Sequence, residues 1–277
     1  MSAQTPDQPI ATSRTSRATT ASPRNCDDIQ GSEGGPAPTP RLALALLPAW
    51  WFVAAATSGA VSRLAPGSDG MTRALVATVA LTSVAVALAV RLRHRPGHDP
   101  VSLGLTGPAS CRRPGLIAFV LLLALVPLAG GIRWDGEVSA LAVLAVGYLL
   151  TGFTEELVWR GTALQLLRPL GSGRAVLVGS TLFAAAHLTN ILFRDNVALV
   201  GAQAFGAFCF GIGYAAVRLE TGALPALMLT HLLTDLLPHV GRLPAIPVFV
   251  AQDVILLGLG LFLIRRRSGA PDGEAGL

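Results

Sequence analysis

Two adjacent glutamates, Glu155 and Glu156, interrupt the apolar stretch TGFTEELVWRG at 151–161, with Arg160 close behind. An ionised side chain at the centre of a bilayer costs roughly 2.5–3.5 kcal/mol even on lenient insertion scales, so the pair must return something structural or chemical. On a helix, residues four apart share a face, and Glu156 can pair with Arg160. Glu155 lies about 100° further round and can face a cavity. A carboxylate set in apolar surroundings is the raw material of a general base or acid. The same spacing recurs twice downstream. Phe183 and His187 stand four apart in STLFAAAHL, and His231 and Asp235 stand four apart in LMLTHLLTDLL. Intramembrane ionisable residues face a bundle interior or a wet cavity and pair with one another. Convergence of Glu155, Glu156, His187, His231 and Asp235 on one site is therefore the economical reading.

Plainer readings exist for each residue. Glu156 and Arg160 alone read equally well as an ion pair at a helix end. His187 reads as an interior histidine with a satisfied partner, and His231–Asp235 as a helix-stabilising hydrogen bond. Phe183 reads as packing. Taken jointly, three helices would each need a separate explanation. Asp253, beside Gln252, is expected to be structural or interfacial, and His94, His98 and His239 to be solvated at helix ends or loops.

The elements that position these residues follow from composition. Of 277 residues, 52% are hydrophobic and only 13% charged, against about 25% charged in an ordinary soluble domain. The fold class is all-α, a polytopic membrane helical bundle. Apolar runs at about 42–62, 72–91, 115–132, 139–159, 174–192, 197–217, 223–239 and 246–264 give about eight transmembrane helices at some 20 residues per crossing. The seventh run is short and holds Pro225 and Pro238, and the fourth has room to continue past the glutamates to Leu167. Residues 1–40 are polar and aperiodic, a disordered tail. Residues 41–267 form the transmembrane domain, and 268–277 a flexible C-terminal tail. Three cysteines without a CxxC spacing argue against a disulfide framework or cysteine metal site; Cys209 reads as small apolar packing.

All 21 basic residues are arginine. With the abundant Ala and Gly this is the mark of a GC-rich bacterial genome. The arginines alternate between helix ends and do not gather into one patch, which excludes nucleic acid as a partner and leaves the lipid bilayer. With the N-terminus cytoplasmic, sixteen fall inside, and Arg63, Arg73, Arg133, Arg194 and Arg242 fall outside. That excess fits an even helix number, both termini cytoplasmic, and a multi-pass protein of the bacterial plasma membrane.

Glu155-Glu156-Arg160, Phe183-His187 and His231-Asp235, in this order and helical setting, resemble the EExxxR, FxxxH and HxxxD motifs of the CPBP family. These are the CAAX proteases and bacteriocin-processing enzymes, also called Abi proteins. The resemblance covers about 139–240. It implies a helical membrane endopeptidase in which Glu155 activates water with His187 helping to hold it. It implies that His231 and position 235 stabilise the oxyanion while Glu156 and Arg160 order the helix. Eukaryote-type members carry Asn at the last position where this chain has Asp235. An ionised Asp donates no hydrogen bond, so Asp235 is protonated, orients His231 or binds a metal. The family is commonly called metalloprotease, and Glu155, His187, His231 and Asp235 are acceptable Zn2+ ligands. No HExxH occurs, and a metal-free glutamate mechanism would use the same residues. The implied substrate is a peptide or membrane protein. The alternative is a non-proteolytic scaffold or a proton- or ion-coupled transporter keeping the polar site, since buried acids and histidines also form proton relays.

The arginine distribution predicts that reporters fused at the N- and C-terminus both report the cytoplasmic side. Termini on opposite sides would contradict an even number of crossings.

Overall fold

A computed structural model describes residues 40–92, 103, 105 and 111–268. The tail expected at 1–40 lies outside these apart from Pro40, and that at 268–277 apart from Ser268. His94, His98 and Cys26 also lie outside them.

Helices occupy all eight apolar runs. They are α1 (Pro40–Leu64), α2 (Gly70–Leu92), α3 (Pro114–Leu125), α4 (Val138–Glu155), α5 (Ser172–His187), α6 (Val197–Thr221), α7 (Leu224–Val240) and α8 (Ala245–Ser268). Among the described residues six spans are long and apolar enough to cross a membrane, so the expected eight is approximate. The two short bodies have local causes. Proline lacks the N–H that an α-helix needs, and at Pro127 the chain after α3 tightens into a 3-10 turn, Val126–Gly130. The seventh, α7, is 17 residues long, begins beside Pro225 and includes Pro238 near its end.

The fourth body does run past the glutamates. After α4 the chain is π-helical over Glu156–Ala163, α-helical over Leu164–Leu167 and 3-10 over Arg168–Leu170. Together these form a 33-residue span, Val138–Leu170, about 50 Å long at 1.5 Å per residue. A hydrocarbon core is about 30 Å thick, so this span tilts or projects from it.

Loop ends separate into two groups, as alternating helices require. At one end the Arg133 N–H donates to the Val240 carbonyl and the Arg242 N–H to the Gly131 carbonyl, while Gly70 abuts the Phe193 carbonyl. At the other end the Arg112 N–H donates to the Thr221 carbonyl, and Glu220 pairs with Arg113 and with Arg267. These contacts reproduce the two sets of loops read from the arginines.

Helix packing uses small residues, which let backbones approach closely in a membrane protein. A Cβ on Gly213 of α6 would lie 2.7 Å from Leu256 Cβ, and one on Gly260 of α8 would lie 2.7 Å from the Ile212 carbonyl oxygen. Gln252 of α8 donates to the Leu123 carbonyl of α3 at 2.8 Å. Its neighbour Asp253 is half-buried against Gly206. The core gathers around Leu157, Trp159, Phe183, Phe210, Tyr214 and Leu227, while apolar side chains such as Phe52, Leu122, Phe205 and Phe262 face outward. Cys111 and Cys209 are free thiols, Cys209 buried.

Gly213→Leu and Gly260→Leu are each predicted to destabilise the bundle by about 1–3 kcal/mol through overpacking, read as a lower melting temperature in detergent. An unchanged melting temperature would show that α6 and α8 are free to part.

Candidate active site

Glu155 ends α4 and Glu156 opens the π-helical segment. In a π-helix the backbone bonds run from i to i+5, a geometry that is rare and recurs at functional sites. The whole segment Glu156–Ala163 is buried. Thr154, just before it, exchanges a 2.7 Å hydroxyl–hydroxyl bond with Thr82 of α2. Gly152 brings α7 close: a Cβ there would lie 3.1 Å from the Met228 carbonyl oxygen and 3.4 Å from His231 Cβ. One small residue thus sets His231 against the two glutamates.

Glu156 is fully buried and Arg160 is 2% exposed. Arg160 Nη1 lies 3.2 Å from Glu156 Oε1, so the expected pair forms. The same oxygen accepts from His231 Nδ1 at 2.8 Å. The guanidinium lies over aromatic rings, its carbon 4.0 Å from the Phe183 centroid and 5.5 Å from that of Phe210. A cation over a ring face is attracted by the ring quadrupole. Phe183 is packing, as expected, and it touches His187 as well as Arg160: its ring meets His187 edge-on at 4.5 Å.

His187 closes α5, and its Nδ1 lies 3.0 Å from the Phe183 carbonyl oxygen. A carbonyl only accepts, so Nδ1 carries a proton and donates to it, which leaves Nε2 turned to the site. That Nε2 lies 3.9 Å from Glu155 Oε2. His231 Nε2 lies 3.6 Å from the same oxygen and 3.5 Å from Asp235 Oδ2. The 3.5 Å separation exceeds a good hydrogen bond, so the expected His231–Asp235 bond gives way to His231–Glu156. The ring is held by its other nitrogen. Asp235 is 28% exposed and His187 15%, which marks the open side of the site.

All six residues singled out by spacing thus meet. Glu155, His187, His231 and Asp235, the candidate Zn2+ set, make contacts that run as a chain. Among the described residues no group of three or more His, Cys, Asp or Glu is arranged to hold a metal ion. His239 is exposed but not merely solvated, since it bonds the Tyr148 hydroxyl at 2.8 Å.

Sequence reasoning missed the wall on α6. Phe210 stands 4.8 Å from His231 between ring centroids and stacks on Tyr214 at 3.8 Å. The Tyr214 hydroxyl donates to Thr230 Oγ1 at 3.0 Å. The available signal was the Phe210–Tyr214 spacing of four, in a run where aromatics read as ordinary packing.

Residues 137–237 match the family described as type II CAAX prenyl endopeptidase, Rce1-like. No curated protein and no solved structure gives a match. The matched segment holds all six residues and bears out the resemblance read from the three motifs. It supports a membrane endopeptidase of the CAAX type.

Removing one member of a buried ion pair strands the other, at about 3–5 kcal/mol, whereas replacing both by apolar groups is often neutral. Arg160→Leu is therefore predicted to lower the melting temperature sharply, and Glu156→Leu with Arg160→Leu to recover much of it. A double variant no better than the single would show that Glu156 does not need its partner.

Proposed function

We propose that the chain is an intramembrane endopeptidase of the CAAX type, in a bacterial plasma membrane with both termini cytoplasmic, and that Glu155 is its general base. The observation that carries this reading is Glu155 Oε2. It is buried without a hydrogen-bond partner, and the Nε2 atoms of two histidines from two other helices stand 3.6 and 3.9 Å away.

Both distances are too long for direct bonds and suit an intervening water. In this reading the His187 ring is neutral, and its Nε2 lone pair and Glu155 Oε2 both accept. A water between them gives a proton to each and keeps a lone pair free for a scissile carbonyl. Glu155 takes one proton as the water oxygen attacks the carbonyl carbon, and returns it to the amide nitrogen as the C–N bond breaks. His231, with both nitrogens protonated, donates from Nε2 to the oxyanion, held in place by Glu156 at Nδ1. Preorganised donors aimed at developing charge are commonly the largest contribution to such catalysis. Asp235 acts on the side of the His231 ring that faces the opening and orients Nε2. Glu156 and Arg160 are positioning residues. The substrate class is a peptide or membrane-protein segment that enters beside Asp235 and His187.

Glu155→Ala and His187→Ala are predicted to abolish cleavage of a peptide library, lipidated and unlipidated, while membrane insertion is unchanged. Asp235→Asn keeps measurable activity, reduced by about tenfold, if its role is to orient His231. Persistent cleavage by purified Glu155→Ala would overturn the assignment. Complete loss in Asp235→Asn with intact folding would mean that the reaction needs the carboxylate itself.

A further inference from the structure

Beside Arg160, between the π-helical segment, α5 and α6, lies a small cavity. It is lined by Trp159, Arg160, Ser180, Phe183, Gly211 and Ala215, among others, and offers about 10 Å³ to the centre of a water molecule. Trp159 and Arg160 are 2% exposed, as is Ser180. Trp159 Nε1, Arg160 Nη1 and Nη2, and Ser180 Oγ are all buried without a hydrogen-bond partner. The wall is thus three polar side chains from two helices, each sealed from solvent and each with unused bonding capacity. Native interiors satisfy nearly all such groups.

Size and charge select the guest. One water needs roughly 10–15 Å³ and two to four polar partners, and the cavity admits one and no more. The indole and guanidinium offer only N–H donors, so the guest must accept; the serine hydroxyl both donates and accepts. Arg160 already has Glu156 Oε1 3.2 Å away, so the cavity calls for no further negative charge. Gly211 contributes the room: a Cβ there would lie 3.1 Å from Ser180 Oγ.

We propose that this cavity is a built site for a single buried water molecule, which accepts from Arg160 and Trp159 and donates to Ser180. Its consequence is mechanical. The guanidinium is fixed on one edge by Glu156, on its face by Phe183, and on the remaining edge by the water. Ser180, which no motif includes, becomes a positioning residue for Arg160.

The test is a structure of the full-length protein in lipid nanodiscs at a resolution that shows ordered water, paired with melting curves of Ser180→Ala. The expected result is one density peak at about 2.7–3.2 Å from Ser180 Oγ and an Arg160 nitrogen, and a Ser180→Ala melting temperature lower by a few degrees. A dry cavity reverses the sign: Ser180→Ala then removes an unsatisfied buried hydroxyl and raises the melting temperature. An empty cavity, a raised melting temperature, or a peak that gains scattering when chloride is exchanged for bromide would each overturn the proposal.

Discussion

A glutamate and an arginine sit side by side in the core of this bundle, and the rest of the site is arranged around keeping them together. Desolvating such a pair costs several kcal/mol per ion unless the remaining bonding capacity is well used. Here Glu156 Oε1 serves Arg160 and His231 together, and the guanidinium spends its face on Phe183. One oxygen therefore ties the π-helical segment to α7, and one guanidinium ties it to α5. Glu155 is the next residue in the chain, and it inherits its position from that knot.

The backbone makes the same point. A π-helical stretch begins at Glu156 and ends at Ala163, so the departure from α geometry coincides with the charged residues and not with a proline or a glycine pair. Gly152 lies one turn earlier and lets α7 approach the helix that carries both glutamates. Widened backbone on one side and a missing side chain on the other leave a site where two imidazoles address one carboxylate oxygen.

Much of this was legible in the sequence. Charge-poor runs of about 20 residues located the eight long helix bodies among the described residues, because a bilayer imposes that length. The alternation of arginines sorted the loops into two groups that do meet in space, as Arg133 with Val240 and Arg113 with Glu220 illustrate. The three spacings of four brought together the residues that meet. The π-helix was not legible, since a uniformly apolar run has no hydrophobic period to distinguish i+5 from i+4 bonding. The short third and seventh helices were only half visible, through Pro127, Pro225 and Pro238. Nor could spacing show that His231 bonds Glu156, 75 positions away, and not its own-helix neighbour Asp235. Phe210 and Tyr214 escaped notice because an aromatic among aliphatics looks like core until its ring is seen against a charge.

Environment divides two neighbouring, chemically identical side chains: both keep an unpartnered Oε2, but that of Glu155 faces two histidines, while Glu156 holds Arg160 and His231 through Oε1. The most direct measurement compares the purified Glu155→Gln and Glu156→Gln variants, recording peptide cleavage and melting temperature on the same samples. The expected result is that Glu155→Gln loses cleavage and keeps the wild-type melting temperature, while Glu156→Gln loses stability together with activity. Equal loss of stability in both, or cleavage that survives Glu155→Gln, would contradict it.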